Sequence, residues 1–238
     1  MWPNRQMILM LRHLPNLLTS CNLLCGAIGT VYVLEGHGLF PAAYFVWLSL
    51  VFDFLDGFAA RSLSVASPIG KELDSLADVI SFGLLPSVLV YVLIKEQAPG
   101  SYLPYLAFII AVCSALRLAK FNIDETQSDS FKGLPTPANA LFLTGLPFLP
   151  EQIREVLFQP WPLVGVSILF SLLLVSRIDL FALKFKDFSW GNNKLQFTFL
   201  AISVLLVVIL KFAAIPLIII FYILLSLSKV VASGPRAQ

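Results

Sequence analysis

Leu39-Phe-Pro-Ala-Ala-Tyr-Phe-Val-Trp-Leu-Ser-Leu-Val-Phe-Asp53-Phe-Leu-Asp56-Gly57-Phe-Ala-Ala60-Arg61 opens with fourteen uncharged residues and then sets two aspartates three apart. A helix that crosses a bilayer needs roughly 20 predominantly apolar residues, and 39–60 meets that length. The next apolar run, 73–94, begins with a second pair, Asp74 and Asp78. A carboxylate beside hydrocarbon loses its hydration at a cost of several kcal/mol. Four of them in adjacent runs call for a compensating partner.

Similar apolar stretches flank this pair, at 14–34, 102–122, 136–149, 162–176, 195–210 and 213–228, eight in all. The fifth and sixth are short and only the surroundings of Lys211 divide the last two, so six or seven crossings is the alternative count. The runs are continuous and lack the two-residue alternation of a membrane β-barrel. Composition agrees: 58% of the 238 residues are hydrophobic and 13% charged, against about 25% charged in soluble domains. The expected fold class is an all-α integral membrane protein of about eight transmembrane helices. The last two spans, at about 195–228, would follow a core of six, in one domain over 1–238. Arg5, Arg12 and His13 precede the first run, but no small-residue cleavage site follows it, which argues against a cleaved signal peptide.

Basic residues orient the chain. With a cytoplasmic N-terminus, Arg5, Arg12, Arg61, Lys71, Arg117, Lys120, Lys132, Arg177, Lys184, Lys186, Lys194, Lys229 and Arg236 fall on one side, and Lys95, Arg154 and Lys211 on the other. Both termini are therefore expected in the cytoplasm, in the inner (cytoplasmic) cell membrane, with any active site on that face. A net charge of +2 is too small to suggest nucleic acid. Cys21, Cys25 and Cys113 lie within apolar runs and read as small buried hydrophobes, and no His or Cys spacing supports zinc. The longer polar stretches, 61–72, 123–135 and 177–194, share the basic side. The last mixes Phe, Leu and Trp with Lys, which suits either a segment in the headgroup layer or an ordinary basic loop.

On a helix, Asp53 and Asp56 stand about 60° apart and Asp74 and Asp78 about 40° apart. Two antiparallel neighbours can thus turn four carboxylates toward one another. A divalent cation resolves the repulsion, and oxygen-only ligands select Mg²⁺, Mn²⁺ or Ca²⁺ over zinc. The bland alternative pairs the acids with Arg61, Lys71 and each other to stabilise helix ends. Gly57 and Gly70 leave room beside the acids, Ala60 lies one turn beyond Asp56, and Arg61 offers a planar fork for phosphate.

Asp53-x-x-Asp56-Gly57-x-x-Ala60-Arg61, eight residues, then Gly70-x-x-x-Asp74-x-x-x-Asp78 resembles the motif of the CDP-alcohol phosphotransferase family at every defined position. Three further segments resemble its phosphatidylserine synthase branch. They are Leu14-Pro-Asn16-Leu-Leu-Thr19-Ser-Cys-Asn22-Leu-Leu-Cys-Gly26, the Asp78-Val-Ile-Ser81-Phe-Gly83 continuation, and Leu116-Arg117-Leu-Ala-Lys120-Phe-Asn122 with Phe131-Lys-Gly133-Leu-Pro-Thr-Pro-Ala138. The likeness covers about the first 140 residues, and Lys120 stands where the branch commonly has Arg.

The resemblance implies transfer of the phosphatidyl group from CDP-diacylglycerol to L-serine, with release of CMP. It also implies one or two Mg²⁺ or Mn²⁺ ions on the four aspartates, Asp78 as base for the acceptor hydroxyl, and a homodimer within membrane lipid. Asn16, Thr19, Gly57, Ala60, Arg61 and Gly70 are the expected donor-binding set. Arg117, Lys120 and Asn122 would meet the acceptor or a phosphate, or else the two cations are ordinary flanking charges. Three alternatives remain open at this point: another acceptor such as glycerol phosphate or inositol phosphate, an intramembrane prenyltransferase, and a divalent-cation channel or transporter.

Overall fold

A backbone surrounded by lipid must satisfy its own N–H and C=O groups, and each apolar run folds as a helix. The computed structural model describes residues 5–124, 130–181 and 193–233. Most of the 177–194 stretch expected in the headgroup layer, with Lys184 and Lys186, lies outside the described residues, as does Arg236.

Helix α1 (Arg5–Leu34) and helix α2 (Phe40–Ser62) form an antiparallel hairpin through Gly36 and Gly38, both at positive φ. Helix α3 (Pro68–Asp78) starts earlier than the apolar pattern suggests. Ser67 caps it by accepting from the Gly70 N–H at 3.1 Å, and Pro68 fills the first position, as such residues commonly do. Asp74 and Asp78 therefore sit inside a helix rather than at its start. A π-helical turn, Val79–Leu84, leads into α4 (Leu85–Gln97). A 3₁₀ turn precedes α5 (Ile109–Ile123). Strand β1 (Ser130–Lys132) and helix α6 (Thr136–Gly145) come next. Helices α7 (Glu151–Leu157) and α8 (Pro160–Val175), strand β2 (Asp179–Phe181), and helices α9 (Lys194–Leu210) and α10 (Ala214–Ser233) complete the described chain.

Among the described residues five stretches are long and apolar enough to cross a membrane, six if α7 and α8, bent by 83°, form one span. This makes a multi-pass membrane architecture and falls below the expected eight for two reasons. Helix α6 has only 10 residues, and α9 with α10 form one continuous 35-residue apolar stretch. Yet Phe199 stacks on Phe221 with ring centroids 5.9 Å apart. On one straight helix these residues would be separated by about 33 Å, so the chain doubles back near Lys211, where φ is 52°. Helix α7 occupies the connection between α6 and α8.

The span from Pro68 to Gln97 is the central rod: 72% of its apolar window is buried, against 28% for α1 and for α2. Leu85, Leu89, Ile110, Leu143 and Leu163 are fully buried around it. Helix α1 crosses this rod at Gly26, where an added Cβ would stand 2.6 Å from Ser81 Cα; only glycine admits that approach.

A small antiparallel β pair was not expected from the sequence. Ser130, Phe131 and Lys132 register with Phe181, Leu180 and Asp179. Gly133, at φ +76°, follows it, and a Cβ there would lie 2.5 Å from the Leu174 carbonyl oxygen. The Gly133 N–H donates to the Ile178 carbonyl and the Leu134 N–H to the Leu173 carbonyl, both at 2.9 Å. Three-residue strands are too short to leave a period in the sequence.

Candidate active site

Helix α1 packs against both α2 and α3 and so brings three of the four acids together. Carboxylate oxygens of Asp53, Asp56 and Asp74 lie within 4.8 Å of one another. Asp78 stands outside that trio, buried at 6% exposure, and receives a 3.1 Å hydrogen bond on Oδ1 from Asn22 Nδ2. Asp56 is buried as well, and its Oδ2 accepts from the Thr19 hydroxyl at 2.6 Å. Asp74 Oδ1 is buried without a hydrogen-bond partner among the described residues.

No ion pair within the described residues reaches any of the four acids; the two present are His37–Glu35 and Lys132–Asp124. Lys71 donates instead to the Asn122 main-chain carbonyl at 2.8 Å. Arg61 folds back over its own helix, its guanidinium nitrogen 3.3 Å from where a Gly57 Cβ would stand. Neither Arg61 nor Lys71 forms an ion pair with the acids among the described residues, although Arg61 lies within electrostatic range of Asp56. A dense oxygen cluster with no cationic side chain on it fits a hard divalent cation.

The remaining expected residues separate into three groups. Asn16 and Gly70 meet: Asn16 Oδ1 is 3.1 Å from the place a Gly70 Cβ would occupy. Gly57, Ala60 and Arg61 line the same end of α2 as Asp56, Ala60 half-buried and Arg61 exposed. Arg117 and Lys120, equivalent by spacing, part company. Arg117 is buried with its guanidinium 5.3 Å from the Phe121 ring centroid, and it lies within electrostatic range of Asp78 and Tyr222. Lys120 is exposed. Asn122 is occupied in joining helices, its amide donating to Ser75 Oγ at 2.9 Å.

Sequence reasoning gave Asn22 no role of its own. Its signal was available: it follows Thr19 by three residues and so shares that helix face. The Asn22 carbonyl also accepts from Ser49 Oγ at 3.2 Å and Ser81 Oγ at 2.9 Å, contacts that only the assembled helices reveal. A cleft of about 330 Å³ lined by Gln97, Glu151, Arg154 and Phe158 lies at the opposite end of the bundle.

Comparison with known proteins places the chain in a family. The family model described as CDP-alcohol phosphatidyltransferase matches residues 12–209. A CDP-diacylglycerol–serine O-phosphatidyltransferase of Bacillus subtilis is 34% identical over 142 residues, covering 58% of this chain and 77% of its own. A protein of the same name from Helicobacter pylori strain J99 is 33% identical over 172 residues, 69% of this chain and 70% of its own. One from Methanocaldococcus jannaschii is 43% identical over 100 residues, which is 42% of this chain and 47% of its own. The family match spans both aspartate pairs, all of α1 from Arg12 onward and most of α9. The chain belongs to the CDP-alcohol phosphatidyltransferase family and is an enzyme of that class.

Proposed function

We propose that this protein transfers the phosphatidyl group of CDP-diacylglycerol to the hydroxyl of L-serine, giving phosphatidylserine and CMP. The observation that carries this reading is the convergence of Asp53, Asp56 and Asp74, with Asp78 outside that trio and hydrogen-bonded by Asn22. The names of the similar proteins from Bacillus subtilis and Helicobacter pylori support serine as the acceptor.

The aspartate set suits one or two divalent ions, Mg²⁺ or Mn²⁺, with the trio as nucleus and Asp78 beside it. When bound, such an ion supplies charge neutralisation at the pyrophosphate as CMP leaves. Arg61 adds a positive charge at the same end of α2. Asn16, Gly57, Ala60 and Gly70 shape the donor site, while Thr19 acts on it through Asp56. Asp78 takes the proton from the serine hydroxyl. The serine oxygen attacks the phosphorus that carries the diacylglycerol, and the bond from that phosphorus to the CMP oxygen breaks. Arg117, buried near Asp78, holds the serine carboxylate; Lys120 and Asn122 stand at the rim. Serine is a far weaker acid than a carboxylic acid, so positioning supplies much of the rate.

A second reading keeps the chemistry and changes the acceptor to glycerol phosphate or inositol phosphate, because a buried Arg117 suits a phosphate as well as a carboxylate. We further propose a single domain over 1–238 crossing the inner cell membrane eight times. In this topology α6, α8, α9 and α10 each cross once, and both termini and the aspartates face the cytoplasm. Lys95, Arg154 and Lys211 at the far helix ends support that orientation. A homodimer within the bilayer completes the proposal. The test is CMP release by purified protein in lipid nanodiscs, given CDP-diacylglycerol and each alcohol in turn. Turnover with serine alone is expected; turnover only with a polyol phosphate rejects serine.

A further inference from the structure

Helix α1 touches both halves of the aspartate set, through Thr19 on Asp56 and Asn22 on Asp78. The two contacts differ in setting. Asn22 is fully buried, and its main-chain carbonyl accepts hydroxyls from Ser49 on α2 and from Ser81 on the π-helical turn that follows Asp78. One turn further along α1, Gly26 lets the same helix press against Ser81. The residue is thus anchored to α2 and to the central rod through its backbone, before its side chain contacts anything.

Among the described residues that side chain makes one hydrogen bond, Nδ2 to Asp78 Oδ1, and its own Oδ1 is buried without a partner. A carboxamide merely filling a helix crossing would carry a desolvation penalty that Leu or Ala avoids. An amide can hold a carboxylate by one oxygen without neutralising it, as a cation would. Among the described residues Asp78 Oδ2 has no hydrogen bond, so the held oxygen and the available oxygen are distinct.

We infer that Asn22 is a positioning residue for Asp78, clamping Oδ1 so that Oδ2 is the oxygen presented to the acceptor hydroxyl. This rests on the reading of Asp78 as the base. Helix α1 therefore carries two supporting contacts one turn apart, one steadying the trio and one steadying the base.

The experiment compares Asn22→Leu and the isosteric Asn22→Asp with the unaltered protein in nanodiscs, measuring kcat, both KM values and CDP-diacylglycerol affinity. Loss of a supporting contact of this kind typically costs about 10–100-fold in activity. Both variants are expected to lose that much kcat while the KM and affinity for CDP-diacylglycerol stay within about 3-fold. In an Asp78→Glu background, where the carboxylate is already displaced, Asn22→Leu should change kcat by less than about 3-fold, since residues acting as a unit are not additive.

Three results overturn the inference: kcat unchanged in both variants, CDP-lipid affinity falling in step with kcat, or penalties that simply multiply in the double variant. Full turnover by Asp78→Asn would instead remove the base assignment on which the inference stands. An inactive Asp78→Asn beside fully active Asn22 variants would reject the Asn22 role alone.

Discussion

The Thr19 hydroxyl lies 2.6 Å from Asp56 Oδ2 and 3.0 Å from the carbonyl oxygen of Pro15 on its own helix. One short side chain thereby ties α1 to an acid of the trio. Hydrogen bonds to charged acceptors are shorter and about twice as strong as neutral ones. Thr19→Val keeps the shape and removes the donor. The Mn²⁺ concentration for half-maximal rate should rise about 10-fold or more, with kcat at saturating metal nearly unchanged. A titration of Mn²⁺ binding to the protein without substrate should move by the same factor.

The trio carries no ion pair within the described residues, so metal dependence should be complete. Excess chelator is expected to stop CMP release, and added Mg²⁺ or Mn²⁺ to restore it. Asp74→Asn removes one of three converging carboxylates and should lower metal affinity by about 10–100-fold, read by the same titration.

Asp78 stands apart from the trio, and its loss should separate chemistry from binding. Asp78→Asn is expected to lower kcat by about 10²–10⁴-fold, the range of a general base, with CDP-diacylglycerol affinity within a few-fold. Asp56→Asn should lose that affinity. Equal loss of binding in both variants would contradict the assignment of Asp78 as the base.

Arg117 and Lys120 are separated by burial. Arg117→Lys keeps the charge and discards the planar fork, so KM for serine should rise about 10-fold or more while KM for CDP-diacylglycerol holds. Lys120→Ala, on an exposed residue, should change either value by less than about 3-fold. Steady-state kinetics with each substrate varied in turn checks both.

Gly26 lies where α1 crosses the central rod, and a Cβ would stand 2.6 Å from Ser81 Cα and Oγ. Gly26→Ala should destabilise the protein by about 1–3 kcal/mol, the usual scale of overpacking. A lower thermal midpoint in detergent should report it, and turnover should fall as well, because Ser81 also donates to Asn22. An unchanged midpoint would mean the helices part at little cost.

Helix type, apolar runs long enough to cross a membrane and the convergence of three of the four acids were legible along the chain. Hydropathy is a local property, and spacings of three and four residues place side chains on one face whatever else the fold does. Asp53, Asp56 and Asp74 converge because of those spacings and because α1 packs against both α2 and α3. The number of crossings was less legible. Helix α6 is short and buried by its neighbours, and the reversal at Lys211 interrupts a hydropathic signal that runs straight through it.

Only the tertiary structure decided which residues stand behind the acids. Asn22 and Thr19 meet partners 56 and 37 positions away, Arg117 turns inward while Lys120 turns out, and Asn122 is drawn into holding Ser75. No periodicity carries such facts, because a hydrogen bond between helices depends on crossing angle and rotation, which packing of the whole bundle sets. The residues along the chain determined that charge would gather at one depth, and the folded helices determined how each charge is held.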